Sequence, residues 1–415
     1  MDKIRPLEHQ TLLAEADGAA LDRGQYRWVM LSLLWLLYAA FGLIQRSIAP
    51  LVTPILADLH LSYTEMGFIL GSWQLTYIAA AILAGTLIDR WGIRKSLFAG
   101  AMILGLSSAL RHFAKGFGGM LGAVALSGIG GPMISIGCPK AISIWFDGKS
   151  RGAAVGIYLT GPWVGGIFAL TLTNSFIMPL VGHSWRHTFL LYGMLTFAAG
   201  LVWWLLARDA DLSAAADASG MISVFRRLIK VRNVRIVLAL GLLTFATLHA
   251  LTNWLPKILE TGGLSPALAG VAAAIPLAAG IPVLLTIPRL IPPPLRGRFL
   301  ALSALVTLAT LVLILTASGG VQLAALVLFG IAISPCYPIL TLILMDAPEV
   351  GSTYMGSAGG MFFCVSEIGG FAGPLIMGTV VDVTGTFLAG TFFFAALCLT
   401  SFVLALFLKI RPSQP

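Results

Sequence analysis

Apolar positions dominate this chain in long unbroken runs, and polar positions gather in short clusters between them. Bounding each run by charge, proline or glycine gives twelve segments of helix length. The first six cover 28–56, 66–87, 96–114, 118–145, 152–174 and 186–207, and the second six 234–256, 266–288, 299–319, 321–345, 355–379 and 385–409. Roughly 20 apolar residues are needed for a helix to cross about 30 Å of hydrocarbon, and each run is of that order. The pattern predicts an all-α membrane protein with twelve transmembrane helices.

Composition agrees with the pattern. The 415 residues are 58% hydrophobic and 10% charged, with a mean hydropathy of +0.93. Soluble domains carry about 25% charged residues, so a soluble enzyme, a disordered tail and a disulfide-stapled domain are excluded. Cys138, Cys336, Cys364 and Cys398 all fall in apolar runs without ligand spacing, and no metal or cofactor is expected. There is no GxxxxGK[ST] loop for nucleotide phosphates, so any work must draw on a solute or ion gradient. The first 27 residues mix acids and bases without an apolar core and read as a cytosolic tail rather than a leader.

The net charge of +9 comes from 26 Lys and Arg against 17 Asp and Glu. With the N-terminus inside, twenty basic residues fall on the inner side. Arg111, Lys115, Arg186 and Lys257 fall outside, while Arg46 and Lys140 lie within spans. That bias places both termini in the cytosol of a bacterial-type inner membrane, with lipid rather than nucleic acid accounting for the positive charge. The longest polar stretch starts at Arg208. It divides the chain into a tail (1–27), a six-helix bundle (28–207), a central loop (208–233), a second bundle (234–409) and a short tail (410–415).

The halves repeat one another. Ile134-Ser135, Gly131, Pro139 and Asp147 recur 199 positions later as Ile333-Ser334, Gly330, Pro338 and Asp346. Gly156, Gly165 and Gly166 recur as Gly360, Gly369 and Gly370, offset by 204, and Leu61-Ser62 and Gly67 as Leu264-Ser265 and Gly270, offset by 203. Such matches are expected of two pseudo-symmetric six-helix bundles around a midplane site.

Between the second and third runs the chain reads Gly85-Thr-Leu-Ile-Asp89-Arg90-Trp-Gly92-Ile-Arg94-Lys95. This resembles the signature loop of the major facilitator superfamily, G-x-L-x-D-R-x-G-x-R-K. The resemblance implies a cytosolic gate in which Gly85 lets helices approach, Gly92 turns the chain and Asp89 pairs with basic groups. The matching loop of the second half, PRLIPPPLRGR, has no acid where Asp89 would map. The stretch Gln45-Arg46-Ser47-Ile48-Ala49-Pro50 is similar to the D-R-x-N-L-S-x-A-x-P pattern of the superfamily's anion:cation symporters, which carry sugar acids and other organic anions. This helix also resembles that of the oxalate and formate exchangers. Gln45 replaces the symporters' acid, and the fourth run lacks the acid they carry. Gly161-Pro162-Trp-Val-Gly165-Gly166 matches the core of the antiporter motif of superfamily drug exporters.

The charged groups inside the runs suggest the chemistry. An arginine at span depth costs ~2.5–3.5 kcal/mol on insertion scales, and its planar fork suits a carboxylate or phosphate. Arg46 is therefore the expected anion anchor, with Tyr38 and Gln45 on the same helix; the alternative is a guanidinium snorkelling or paired structurally. Glu367 is the acid well inside a run. Desolvation favours a neutral carboxyl and a nearby cation a charged one, so Glu367 is either a proton-coupling site or half of a fixed ion pair with Arg46 or Lys140. Lys140 either guides an anion or snorkels. The 203 offset maps His249 onto Arg46, and His249 and Asn253 share a helical face. Trp254 and Tyr337 are expected as apolar walls with a polar tip, and Ser334-Pro335-Cys336-Tyr337-Pro338 must distort its helix.

These readings predict a monomeric secondary transporter of a small organic anion, a carboxylate, working by alternating access and coupled to protons by symport. The rival is a proton-coupled exporter of lipophilic compounds. A membrane-embedded enzyme would rest on His249 and Glu367 alone, and a receptor on the same fold is a further alternative; no enzymatic activity is expected.

Overall fold

The computed structural model of the chain describes residues 5–208, 228–347 and 350–408, with side chains described for 26–148, 150–208, 228–347, 350 and 358–408. Residues 1–4, 209–227 and 409–415 lie outside these residues, as do the side chains of Lys3, Arg5, Arg23, Lys149, Arg226, Arg227, Lys409 and Arg411, while the backbone of the expected N-terminal tail is helical from Arg5 and runs on into the first span.

Among the described residues, twelve helices are long and apolar enough to cross a membrane. In the first half they are α1 (Tyr26–Leu59), α2 (Tyr63–Trp91), α3 (Ile93–Arg111), α4 (Phe117–Trp145), α5 (Ser150–Leu180) and α6 (Trp185–Leu206). The second half contributes α7 (Arg232–Thr261), α8 (Pro266–Leu290), α9 (Pro293–Thr316), α10 (Gly319–Met345), α11 (Ala358–Thr384) and α12 (Phe387–Leu406). Odd-numbered helices run away from the end that carries the termini and even-numbered ones return to it.

The packing obeys one rule twice. In the first half α1 packs on α5 and α6, α2 on α4, and α3 on α4 and α6; adding six to each number gives the principal packing of the second half. Between the halves the main contacts are α2 with α11 and α5 with α8, which the same operation interchanges. The sequence repeats explain this locally. Ser62 starts α2 with a capping box, accepting from Glu65 N at 3.1 Å while Glu65 Oε2 accepts from Ser62 N at 2.9 Å. Ser265 starts α8 by accepting from Leu268 N at 3.4 Å. Such caps satisfy backbone donors that the first helical turn leaves free. A methyl group on Gly165 would strike the Ala39 carbonyl, and one on Gly369 the Leu242 carbonyl. The same glycine position therefore sets the α1–α5 and α7–α11 spacing.

Two spans are not continuous helices. In α1 the regular helix stops at Arg46, bends through Ser47-Ile48 and resumes over Val52–Leu59 after a 3-10 turn. Pro50, with no N–H to give, sits in that turn. In α10 the break falls at Ser334-Pro335, between helices Gly319–Ile333 and Cys336–Met345. There Ser334 Oγ donates to the Gly330 carbonyl at 2.6 Å. Side chains thus satisfy backbone groups that have no water to turn to.

The two halves close against each other at the end remote from the termini. Thr53 on α1 bonds Glu260 on α7, and Lys257 Nζ donates to Thr53 Oγ1 at 3.1 Å. The Asp382 carboxylate, near the end of α11, accepts from Tyr63 N at 2.9 Å and Thr64 N at 2.7 Å, capping α2 from the opposite half. At the other end the halves part.

Candidate functional site

The parting encloses a cavity of about 940 Å³ between the halves. Its walls run from Arg46, His249 and Glu367 at mid-helix depth to Ile82, Val155 and Arg289, near the termini-side ends of α2, α5 and α8. Thr53, Lys257, Glu260 and Asp382 are absent from those walls, so the cavity is blind at the sealed end and open at the other.

Arg46 lies at the apex because the α1 helix ends on it. Its Nη1 donates to Thr252 Oγ1 of α7 at 2.7 Å, a hydrogen bond that joins the halves. No carboxylate of the described residues lies within ion-pair distance of it. Its aliphatic stem packs over Gly166, where a side-chain carbon would lie 3.0 Å from Arg46 Cγ. Behind Arg46, Arg111 is wholly buried, although the sequence pattern assigned it to the outer side. Its Nη1 donates to Ser47 Oγ at 3.1 Å and to the Ile44 carbonyl at 3.3 Å, and its guanidinium lies 5.2 Å from the Phe189 ring centroid. Arg111 therefore ties down the carbonyl end of the first α1 segment, as a cation does at a helix C-terminus.

Opposite stands His249. Its Nδ1 is 3.3 Å from Gln74 Nε2 on α2. As placed, the amide donates, leaving the imidazole proton on Nε2. Glu367, 3% exposed on α11, belongs to the same cluster. A carbon on Gly370 would be 2.9 Å from Glu367 Oε2, 3.2 Å from Gln74 Nε2 and 3.3 Å from His249 Cδ2. Four buried polar atoms of this apex have no protein partner: Gln45 Nε2, Gln74 Oε1, Asn253 Nδ2 and Glu367 Oε2. Unpaired buried polar atoms are rare in folded proteins and costly, and Gln45, Asn253 and Glu367 line this cavity with Gln74 beside Glu367 behind it, so the apex is a place built to receive a polar group.

Tyr38, Gln45, Arg46, His249, Asn253, Tyr337 and Glu367, all expected as site residues, line the cavity. Trp254 and Lys140 do not. Trp254 is buried in the sealed end, where Nε1 donates to the Pro374 carbonyl at 2.9 Å and the ring packs on Tyr63 and Phe387. Lys140 pairs with Asp89 within the first half, so the pairings of Glu367 with Arg46 or Lys140 weighed from sequence are not formed. Gly92 makes the α2–α3 turn at φ +83°, a conformation that favours glycine. Arg94 donates to the Trp204 carbonyl at 2.6 Å through Nη2 and stacks on its ring. Arg90 and Lys95 face outward. Gly85, expected at a close helix approach, has nothing within contact reach, because the halves are apart at this end. Gln74, Thr252 and Arg111 escaped sequence reading; the signal for Gln74 was an amide in an apolar run.

Comparisons with known proteins agree with this architecture. The family model of the Major Facilitator Superfamily matches residues 34–374. The hexuronate transporter of Bacillus subtilis (strain 168) is 25% identical over 393 residues, 89% of this chain and 91% of that protein. A nitrite extrusion protein of the same organism is 26% identical over 392 residues, 92% of this chain and 94% of that protein. A bacterial homolog of the human lysosomal transporter Spinster, crystallised inward-facing and unoccupied, has a TM-score of 0.74 at 18% identity, covering 92% of this chain and 97% of that one. A match over most of the length, together with two six-helix halves around a midplane cavity, makes this chain a transporter rather than an enzyme, and a member of the Major Facilitator Superfamily.

Proposed function

We propose that the protein moves a small organic anion, a carboxylate, across the bacterial inner membrane by alternating access. The observation that carries the reading is the Arg46 guanidinium at the cavity apex, facing unpaired polar side chains and no carboxylate within ion-pair distance among the described residues. A cation without a direct ion pair at that depth is costly, and an anionic solute supplies one. Gln45, Tyr38, Asn253 and His249 orient the anion. Glu367 exchanges a proton with the cavity and so couples uptake to the proton gradient.

The excess of basic residues near the termini puts that end in the cytosol. The cavity then faces inward, and the Thr53–Glu260 and Asp382–α2 contacts form the closed outer side. The outward state requires the halves to rock about the α2–α11 and α5–α8 contacts. The name of the hexuronate relative supports the carboxylate. That of the nitrite extrusion relative favours a second reading, export. Either fits one cavity, because direction is set by gradients rather than by the binding groups.

Uptake of labelled carboxylates by proteoliposomes, with and without an inward proton gradient, tests the proposal. We expect Arg46→Ala to abolish uptake and Glu367→Gln to remove only the response to the gradient. Full transport by Arg46→Ala overturns the anion reading, and an intact gradient response in Glu367→Gln overturns its proton role. Faster loss of preloaded anion than uptake under an inward proton gradient selects the export reading.

A further inference from the structure

Below the apex the cavity wall is a collar of aromatic rings. In the first half Tyr158 stacks on Tyr38 at 5.8 Å between centroids, and Tyr38 on Phe41 at 5.8 Å. Phe41 meets Trp73 edge-on at 6.1 Å, and Trp73 meets Tyr77 at 5.9 Å. The chain of rings crosses to the second half through Tyr77 and Phe363 at 5.4 Å, then continues to Phe245 at 6.3 Å and Tyr337 at 5.7 Å. All eight line the cavity, and six different helices supply them. His249 touches the collar through Trp73 and Phe245, at 6.2 and 5.7 Å, so the apex sits directly on it.

Charge is sparse by comparison. Arg46 is the one Lys or Arg lining the apex, while Arg289 stands at the open end of α8. Glu367 is the sole acid among the lining residues. The Tyr77 hydroxyl is taken up by Ser135 Oγ at 2.5 Å.

From this arrangement we infer that the preferred substrate is a monocarboxylate on a flat apolar body, an aryl or arylalkyl carboxylate. The inference rests on the anion-transport reading and narrows it. One cation at the apex matches one carboxylate. A second carboxylate on the same molecule would project into the collar, toward ring faces whose quadrupole is negative, or toward Glu367. A sugar acid stacks its C–H faces on rings, but its hydroxyls radiate from the ring edge. The wall offers those hydroxyls chiefly the Tyr38, Tyr158 and Tyr337 hydroxyls and Thr244, fewer than a sugar acid carries around its whole edge, and polar groups buried without partners lose affinity. An aryl ring offers face and edge to the surrounding rings at 4.5–7 Å spacings. The volume of about 940 Å³ lies within the range of sites for drug-sized ligands, leaving room for a bicyclic body.

The test is binding to the purified full-length protein, read by tryptophan fluorescence and by competition. The probes are 1-naphthoate, benzoate, cyclohexanecarboxylate, glucuronate and tartrate, with 1-naphthylmethylammonium as the cationic control. We expect 1-naphthoate to bind at least about tenfold more tightly than glucuronate or tartrate, a difference of the size that aromatic contacts supply. We expect Phe245→Leu and Tyr38→Leu to shrink the preference of naphthoate over cyclohexanecarboxylate, and Phe245→Tyr to keep it. Monodisperse elution checks that each variant is folded. Glucuronate or tartrate binding as tightly as naphthoate, with Arg46→Ala abolishing both, overturns the aryl inference and leaves the anion reading standing. Binding of the naphthyl cation in preference to naphthoate, unaffected by Arg46→Ala, overturns the anion reading as well.

Discussion

Arg46 and His249 occupy matching places in the two halves, 203 residues apart. Gly166 packs beside the first as Gly370 packs beside the second. The pseudo-symmetry is kept in the backbone and broken in the chemistry. One half presents a guanidinium bonded to Thr252, the other an imidazole bonded to Gln74. A fixed positive charge thus meets the substrate from one side only. Arg46→Lys retains the charge but loses the bidentate fork. We expect KM to rise roughly tenfold or more with the lysine, measured as initial uptake rates in proteoliposomes, and no saturable uptake with alanine.

Gln74 holds His249 across the α2–α7 interface while its own Oε1 stays unpaired. Gln74→Leu removes the donor to Nδ1 and lets the imidazole turn. The expected result is a rise in KM of about threefold to tenfold, since a hydrogen bond contributes ~0.5–1.5 kcal/mol, with little change in thermal stability. Uptake kinetics and a melting curve on the same preparation separate the two effects.

Arg111 acts on Arg46 through the bend of α1. Replacing it with methionine takes the guanidinium donor from Ser47 Oγ and Ser107 Oγ and leaves the Ile44 carbonyl with the Ser47 hydroxyl alone, at about 1–3 kcal/mol for a buried group. We expect a melting temperature lower by several degrees and a KM raised more than kcat is lowered, because the misplaced group is one that binds. Arg111→Lys should recover part of both.

Asp382 holds the far end shut by accepting two backbone N–H groups at the start of α2, where a negative charge also suits the helix dipole. Asp382→Asn weakens that closure by ~1 kcal/mol. A cysteine at Leu248, on the cavity wall, should then react about fivefold faster with a membrane-impermeant thiol reagent applied from the sealed side. The four native cysteines would be replaced beforehand. An unchanged rate would show that the closure does not depend on this contact.

Lys140 is paired with Asp89 and lies off the cavity wall. A half-exposed ion pair contributes ~0–1 kcal/mol, so Lys140→Met should alter KM by less than about twofold. A tenfold effect would return Lys140 to the substrate path.

The spans were legible because each apolar run carries its own signal, and the kink of α10 because Pro335 cannot complete a helical hydrogen bond. The offset between the halves already sets His249 opposite Arg46 in the sequence. What stayed hidden depends on partners distant in sequence. Gln74 meets His249 across 175 residues, and Asp382 meets Tyr63 across 319. Arg111 stands at the end of an apolar run, where a charge reads as a loop residue; only the fold shows it turned inward. An aromatic residue in a span reads as packing, and the collar becomes visible only when six helices are set around one axis. Gly85 shows the converse: its sequence role concerns a contact that the present separation of the halves does not make.

The Arg46–Thr252 hydrogen bond ties the two halves together at the spot where an anion would dock. An anion that claims the Nη1 N–H now given to Thr252 displaces the threonine hydroxyl. Arrival of cargo would therefore release a tether between α1 and α7, the same two helices that meet again farther along at Thr53 and Glu260. Occupancy and unlocking would then share a single donor group, and a solute too small or too neutral to claim it would leave the clasp fastened.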